Sequence, residues 1–184
     1  MQNNDFIRFI NYRQKVMQKK LQEIVSLAEP IEELEAISED EVTYWLTPVA
    51  ANEKRFASEQ IKFLVAEEQI YAFGYKTPGR KSIKSGDNIC FYASSKGIVA
   101  HALVKTKPEK LNHPKIFNSD KYPWVFELEK PCLYLDTPVV LDEDLRNKLD
   151  AFLGREDRSN WSWFVQATRK ISANDFRVLT RNFY

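Results

Sequence analysis

The chain has 184 residues, 43% hydrophobic and 13% aromatic, with 27 Lys or Arg against 26 Asp or Glu for a net charge of +1. That length suits one domain with an appendage, and the apolar fraction suffices for a core. The overall charge gives no sign of nucleic acid. Two cysteines, Cys90 and Cys132, exclude a disulfide framework and offer no zinc spacing, so both read as reduced core thiols. No apolar run reaches membrane length, so no membrane partner is expected and a cytoplasmic location is the default.

In chain order, residues 5–28 read as an amphipathic helix. Phe6, Phe9, Ile10, Val16, Met17, Leu21, Ile24 and Leu27 recur at three- and four-residue intervals, and Pro30 stops the run. An acidic linker follows, with Glu32, Glu33, Glu35, Glu39, Asp40 and Glu41. Up to Glu41 the charge balance is −4, and from Val42 onward it is +5. The division is therefore an N-terminal helix and linker over residues 1–41 and a mildly basic domain over residues 42–184. The helix is expected either to pack in cis or to mediate a homodimer or a contact with a partner protein.

Residues 42–47 have strand character that Pro48 is expected to end. Residues 53–67 read as a helix. The stretch from Ile70 to Lys84 reads as a loop that sets Tyr71, Phe73 and Tyr75 beside Lys76, Arg80, Lys81 and Lys84. A hairpin is expected over residues 88–93 and 98–106, turning at Ser94-Ser95-Lys96-Gly97. Residues 108–121 read as a polar loop, residues 122–128 and 132–135 as two strands, and residues 142–153 as a short helix. Residues 161–165 read as a strand, and Ser172 with Asp175 marks the start of a last helix. Five or six strands with helices at start and end indicate an α+β domain with a curled sheet.

The pattern argues against catalysis. No phosphate-cradling glycine loop occurs, and the only two histidines, His101 and His113, lie in a strand-like run and a loop without a recognisable nucleophile partner. No catalytic residue, metal ligand or cofactor is assigned, and the chain is expected not to be an enzyme. The aromatic-basic stretch instead suits nucleic acid, because aromatic faces stack on bases and Lys or Arg neutralises phosphates.

The order of motifs is informative. Thr43-Tyr44-Trp45-Leu46, the helix, the aromatic-Gly loop, Ile83-Lys-Ser-Gly-Asp-Asn-Ile-Cys-Phe-Tyr-Ala-Ser94 and Gly97-Ile-Val-Ala-His-Ala-Leu-Val104 are followed by Tyr122-Pro-Trp-Val-Phe-Glu-Leu128, Trp161-Ser-Trp-Phe164 and Arg169-Lys-Ile-Ser-Ala-Asn-Asp-Phe176. This order resembles the EVE domain of the PUA-like superfamily, related to YTH and ASCH domains. The resemblance implies a PUA-like curled mixed or antiparallel sheet, a pseudo-barrel flanked by helices, with the N-terminal helix as an extension. It implies a reader of modified nucleobases, methylated or hydroxymethylated, that takes a flipped base into an aromatic pocket. The positions carried over to the pocket are Trp45, Thr47, Tyr71, Phe73, Tyr75, Tyr92, Ser94 and Trp124. The family's loop Trp is absent here, with Tyr71 or Phe73 nearest to it. Arg80, Lys81, Lys84 and Lys96 are the expected phosphate contacts. Two other roles are compatible with the pattern: a PUA-like module for tRNA or rRNA, and a scaffold or dimerisation protein acting through the N-terminal helix.

Overall fold

The computed structural model describes Met17, residues 42–155 and residues 160–181. The expected N-terminal helix, acidic linker and dimerisation role fall outside those residues, Met17 apart. All the elements below belong to the compact unit Glu39–Tyr184.

The strands are β1 (Tyr44–Val49), β2 (Ile70–Phe73), β3 (Asn88–Ala93), β4 (Gly97–Val104), β5 (Glu109–Lys110), β6 (Trp124–Leu133) and β7 (Arg169–Ile171). They form one mixed sheet in the order β2-β6-β4-β3-β1-β7, with β5 also paired to β6. The β1–β3 pair is parallel, and the other pairs are antiparallel. The sheet closes on itself. Tyr71 of β2 puts its ring 5.0 Å from that of Phe91 on β3, although β6 and β4 lie between those strands in the sheet. The α+β architecture with a curled sheet therefore holds.

Alternation along the central strands sends side chains into two cores. From β1 and β3, Trp45, Val49, Ile89, Phe91 and Ala93 join the cluster inside the curl. Their neighbours Leu46 and Cys90 join a second cluster with Phe152, Phe164, Phe176 and Leu179. A strand buried on both faces reads as a continuous apolar run, which is why Ile89-Cys-Phe91 carries no polar residue. Each fully buried Phe or Leu contributes about 1.5–3 kcal/mol of transfer free energy.

Helix α1 (Ala57–Ile61) continues into a π-helical stretch, Lys62–Glu67. Ala57, Ile61, Leu64 and Val65 fall on one buried stripe. The Glu68 N–H donates to the Phe63 carbonyl five residues back, at 3.0 Å. Helix α2 (Glu143–Arg146) is capped by the Asp142 side chain, which accepts from Leu145 N–H at 2.8 Å. Helix α3 (Ala173–Thr180) is capped by Ser172 Oγ, which accepts from Asp175 N–H at 3.0 Å, as the sequence pattern indicates.

Several elements differ from the sequence reading. Residues 70–73 are a strand, because Ile70, Tyr71 and Phe73 bury against β6. β1 runs through Pro48. Its β7 partner stops at Leu46, leaving that edge without a ladder for the proline to interrupt. The two strands expected between 122 and 135 are one continuous strand, β6. The polar loop before it contains the short strand β5. The helix expected over 142–153 is α2 followed by a separate 3₁₀ turn, Asp150–Phe152. The strand expected at 161–165 is a 3₁₀ turn, Ser162–Val165, that buries Phe164 against the outer core.

Candidate nucleic-acid interface

Where β1 leaves the sheet, a cavity of about 330 Å³ opens. Its walls come from three separate stretches. Pro48 to Glu53 and Arg55 are the end of β1 and the turn after it, Gln60, Phe63 and Leu64 come from the helical segment, and Lys115 to Asn118 with Tyr122 come from the loop before β6. Tyr71 and Ala72 of β2 complete it. The π-helical stretch matters here, since it places Phe63 and Leu64 side by side on this wall. Wide helical turns of this kind recur at functional sites.

The Asn52 side chain fixes the turn at the mouth. Its Oδ1 accepts from Lys54 N–H at 2.8 Å and Arg55 N–H at 2.9 Å, and its amide donates to Gln60 Oε1. The turn carries two cations onto aromatic faces. The Arg55 guanidinium lies 3.9 Å from the Phe63 ring centroid, and Lys54 Nζ lies 4.8 Å from that of Phe117. Lys115 Nζ donates to Glu68 Oε1 at 2.9 Å. Four rings, three amides (Asn52, Gln60, Asn118), two cations (Arg55, Lys115) and the Glu53 carboxylate thus surround one opening. Planar apolar walls, a few polar groups and positive charge suit a planar heterocycle with an anionic tether.

Of the eight expected pocket residues, Tyr71 alone lines this cavity. Burial and contact with Thr47 govern its hydroxyl, and burial pushes the phenol well above its ordinary pKa. Thr47 is itself buried, 2.7 Å from Thr168 Oγ1 across the β1–β7 side. Trp45 is a core residue. Its Nε1 donates to Asp87 at 2.9 Å, and Gly79 lies so close that a Cβ there would sit 2.3 Å from the ring. Phe73 is 2% exposed and packs 5.0 Å from Phe126. Tyr92 points to the opposite face of the sheet and packs on the outer core. Ser94 is an exposed turn residue whose Oγ donates to the Val49 carbonyl at 3.1 Å. Trp124 packs partly buried against the inner core. Tyr75 is half exposed and lies outside the cavity.

The expected phosphate contacts are dispersed as well. Arg80 donates to the Thr77 carbonyl at 3.1 Å, and Lys84 Nζ lies 3.5 Å from Asp87. Lys81 and Lys96 are exposed, and none of the four lines the cavity. Phe63, Phe117, Tyr122, Arg55 and Lys115 escaped the sequence reading. Phe63 was indistinguishable from a core residue of an amphipathic helix. The other four sit in loops, and their convergence depends on tertiary structure.

A second depression, of about 360 Å³, lies against the outer core beside Asp150, Arg169 and Asp175. Its carboxylates are already engaged, while Arg169 Nη2 donates to the Trp163 carbonyl at 2.6 Å and the buried Arg169 Nε has no partner among the described residues. Asp150 N–H donates to Asp175 at 2.6 Å, and Ser172 Oγ donates to Asp150 at 2.6 Å. Among the described residues, no group of three or more His, Cys, Asp or Glu could hold a metal ion. None of their helices is long and apolar enough to cross a membrane.

No family model matches the chain. No curated protein matches it either. Among solved structures, the fold is similar to that of a YTH domain-containing protein, mmi1, in complex with RNA (14% identity, 78% of this chain and 83% of that one, TM-score 0.45). It is similar to Rpa0253 from Rhodopseudomonas palustris (14% identity, 76% and 92%, TM-score 0.43). It is also similar to the human THYN1 protein in complex with 5-methylcytosine containing DNA (16% identity, 77% and 98%, TM-score 0.43). These likenesses are too distant to assign a role, and the cavity's own chemistry must carry the reading.

Proposed function

We propose that this chain is a non-enzymatic nucleic-acid-binding module that receives one base, turned out of its strand, in the cavity between Phe63, Tyr71, Phe117 and Tyr122. One observation carries the reading: an aromatic-walled slot with Arg55 and Lys115 at its rim. Turning a base out costs a few kcal/mol, and stacking against aromatic walls recovers it. The EVE-like order of motifs agrees with this role and suggests a methylated or hydroxymethylated base. A methyl group buried against these rings adds about 0.8 kcal/mol, or roughly fourfold in affinity.

Fluorescence anisotropy with 5-methylcytosine, 5-hydroxymethylcytosine, N6-methyladenine and unmodified oligonucleotides, DNA and RNA, at fixed salt, tests the proposal. At least one modified base should bind about fourfold or more tighter than its plain counterpart. Phe117→Ala should remove that difference. Arg55→Ala with Lys115→Ala should weaken every oligonucleotide and flatten the salt dependence by about two slope units. Equal affinity for all of them, no better than that of an unrelated neutral protein, would refute it.

A further inference from the structure

Two half-exposed tyrosines, Tyr122 and Tyr75, both neighbour Gly74 at the edge of the cavity. Tyr122 both lines the cavity and stays 46% exposed. It lies against Gly74, where a Cβ would sit 3.7 Å from the Tyr122 ring. The next residue, Tyr75, is 51% exposed, with Lys110 Nζ standing 5.1 Å from its ring centroid. Leu111, 40% exposed, ties the same patch together through its N–H, which donates to the Pro123 carbonyl at 2.9 Å.

Most of the described rings are buried or partly buried, so two half-open tyrosines that both neighbour Gly74 need a reason. The charge around them supplies one. Residues 73–76, 107–111 and 120–122 carry Lys76, Lys107, Lys110 and Lys121 against Glu109 and Asp120. None of those four lysines belongs to an ion pair among the described residues. A protein partner would favour a larger apolar patch with few lysines. Stacking faces flanked by unpaired ammonium groups fit the alternating bases and phosphates of an unpaired strand.

We infer that Tyr122, Tyr75 and Lys110 form a stacking track for the unpaired nucleotide flanking the base held in the cavity. The inference rests on the base-reading role and deepens it, because it makes the ligand a single strand at that position. Tyr122 marks the passage from cavity to track. Tyr75 takes the flanking base on its open face, and Lys110 meets the adjoining phosphate. Gly74, just past the end of β2, is packed against both the Lys121 carbonyl and the Tyr122 ring, which keeps Tyr75 and Tyr122 in one neighbourhood.

The experiment compares single-stranded oligonucleotides that keep the modified base but carry an abasic sugar at each flanking position in turn. For the intact protein, removing the flanking base on one side should weaken binding by about 5-fold or more, the range of one base–aromatic stack. Tyr75→Ala should lose the same factor with the intact strand and become indifferent to the abasic substitution, while Tyr75→Phe should bind as the parent does. Tyr75 is exposed, and circular dichroism would verify that the variants keep the fold. Indifference of the parent to both abasic strands, or parent-like binding by Tyr75→Ala, overturns the track while leaving modified-base discrimination intact. Failure of the parent to bind any strand overturns both the track and the base-reading role.

Discussion

Asp87 is fully buried, and its carboxylate collects three donors from two parts of the chain, the start of β1 and the turn before β3. Oδ1 accepts from Thr43 N–H at 3.1 Å, and Oδ2 accepts from Trp45 Nε1 at 2.9 Å and Lys84 N–H at 3.0 Å. Asp87→Ala strands all three. The Trp45 indole is 2% exposed and cannot turn to water, so its loss sits near the top of the roughly 1–3 kcal/mol range for an unsatisfied buried donor. The two backbone N–H groups are only part-buried and fall near the bottom of it. The total is about 3–5 kcal/mol, or roughly 6–20 °C in Tm for a protein of this size. Asp87→Asn keeps one acceptor oxygen and should cost about half as much. In a Trp45→Phe background the indole N–H is gone, so Asp87→Ala should cost about 2–3 kcal/mol less than in the parent. Urea denaturation of the parent and the four variants measures all of this. A loss under about 1 kcal/mol for Asp87→Ala, or full additivity with Trp45→Phe, would refute the claim that this carboxylate anchors the start of β1.

Further outcomes follow from other buried contacts. Gly79 has φ +80°, and a Cβ there would lie 2.3 Å from the Trp45 ring, so Gly79→Ala should destabilise by at least about 2 kcal/mol, with partial rescue by Trp45→Phe, in thermal melts. The Thr47–Thr168 hydroxyl pair predicts that Thr47→Val alone costs more than Thr47→Val with Thr168→Val, because the single change leaves the Thr168 hydroxyl unpaired while both variants lose the Tyr71 contact alike. Burial raises the Cys90 thiol above its ordinary 9.0 and the Tyr71 phenol above its ordinary 10.0, so both groups ionise first in the unfolded chain. Stability held by keeping them neutral is intact below pH 9. It should fall above that by about 1.4 kcal/mol per pH unit for each group, with the onset moving toward pH 10 in Cys90→Ala.

The fold was more legible in the sequence than the site. The β3–β4 hairpin announced itself through two apolar runs around Ser94-Ser95-Lys96-Gly97, and Ser172 declared its helix three residues before Asp175. Trp161-Ser-Trp163 alternates like a strand. The 3₁₀ turn there is set by what Phe164 must fill in the outer core, which local pattern does not encode. Tyr71 was placed in the pocket by its position in the motif order and does reach the cavity. Trp45 and Phe73 have the same chemistry but face the packed interior, and a ring's type does not tell which side of a closed sheet it meets. Tyr92 misled for a simpler reason: strand alternation at β3 sends it to the opposite face from Phe91. Arg55 and Lys115 were hidden because they are sixty residues apart in sequence and come to one opening only once the loops meet.

Parallel pairing of β1 with β3 has a lasting consequence. Two neighbouring strands that run the same way cannot be joined by a tight turn, so the chain must travel from one end of the sheet to the other between Val49 and Asn88. That obligatory detour holds the Asn52 turn, the wide helix, Tyr71 and Tyr75. Its ends are pinned by the ladder and by Asp87, and between them Ile70–Phe73 alone is held in register as a strand, against β6. Descendants of such a chain can therefore rewrite what the detour grips, residue by residue, without renegotiating the order of a single strand.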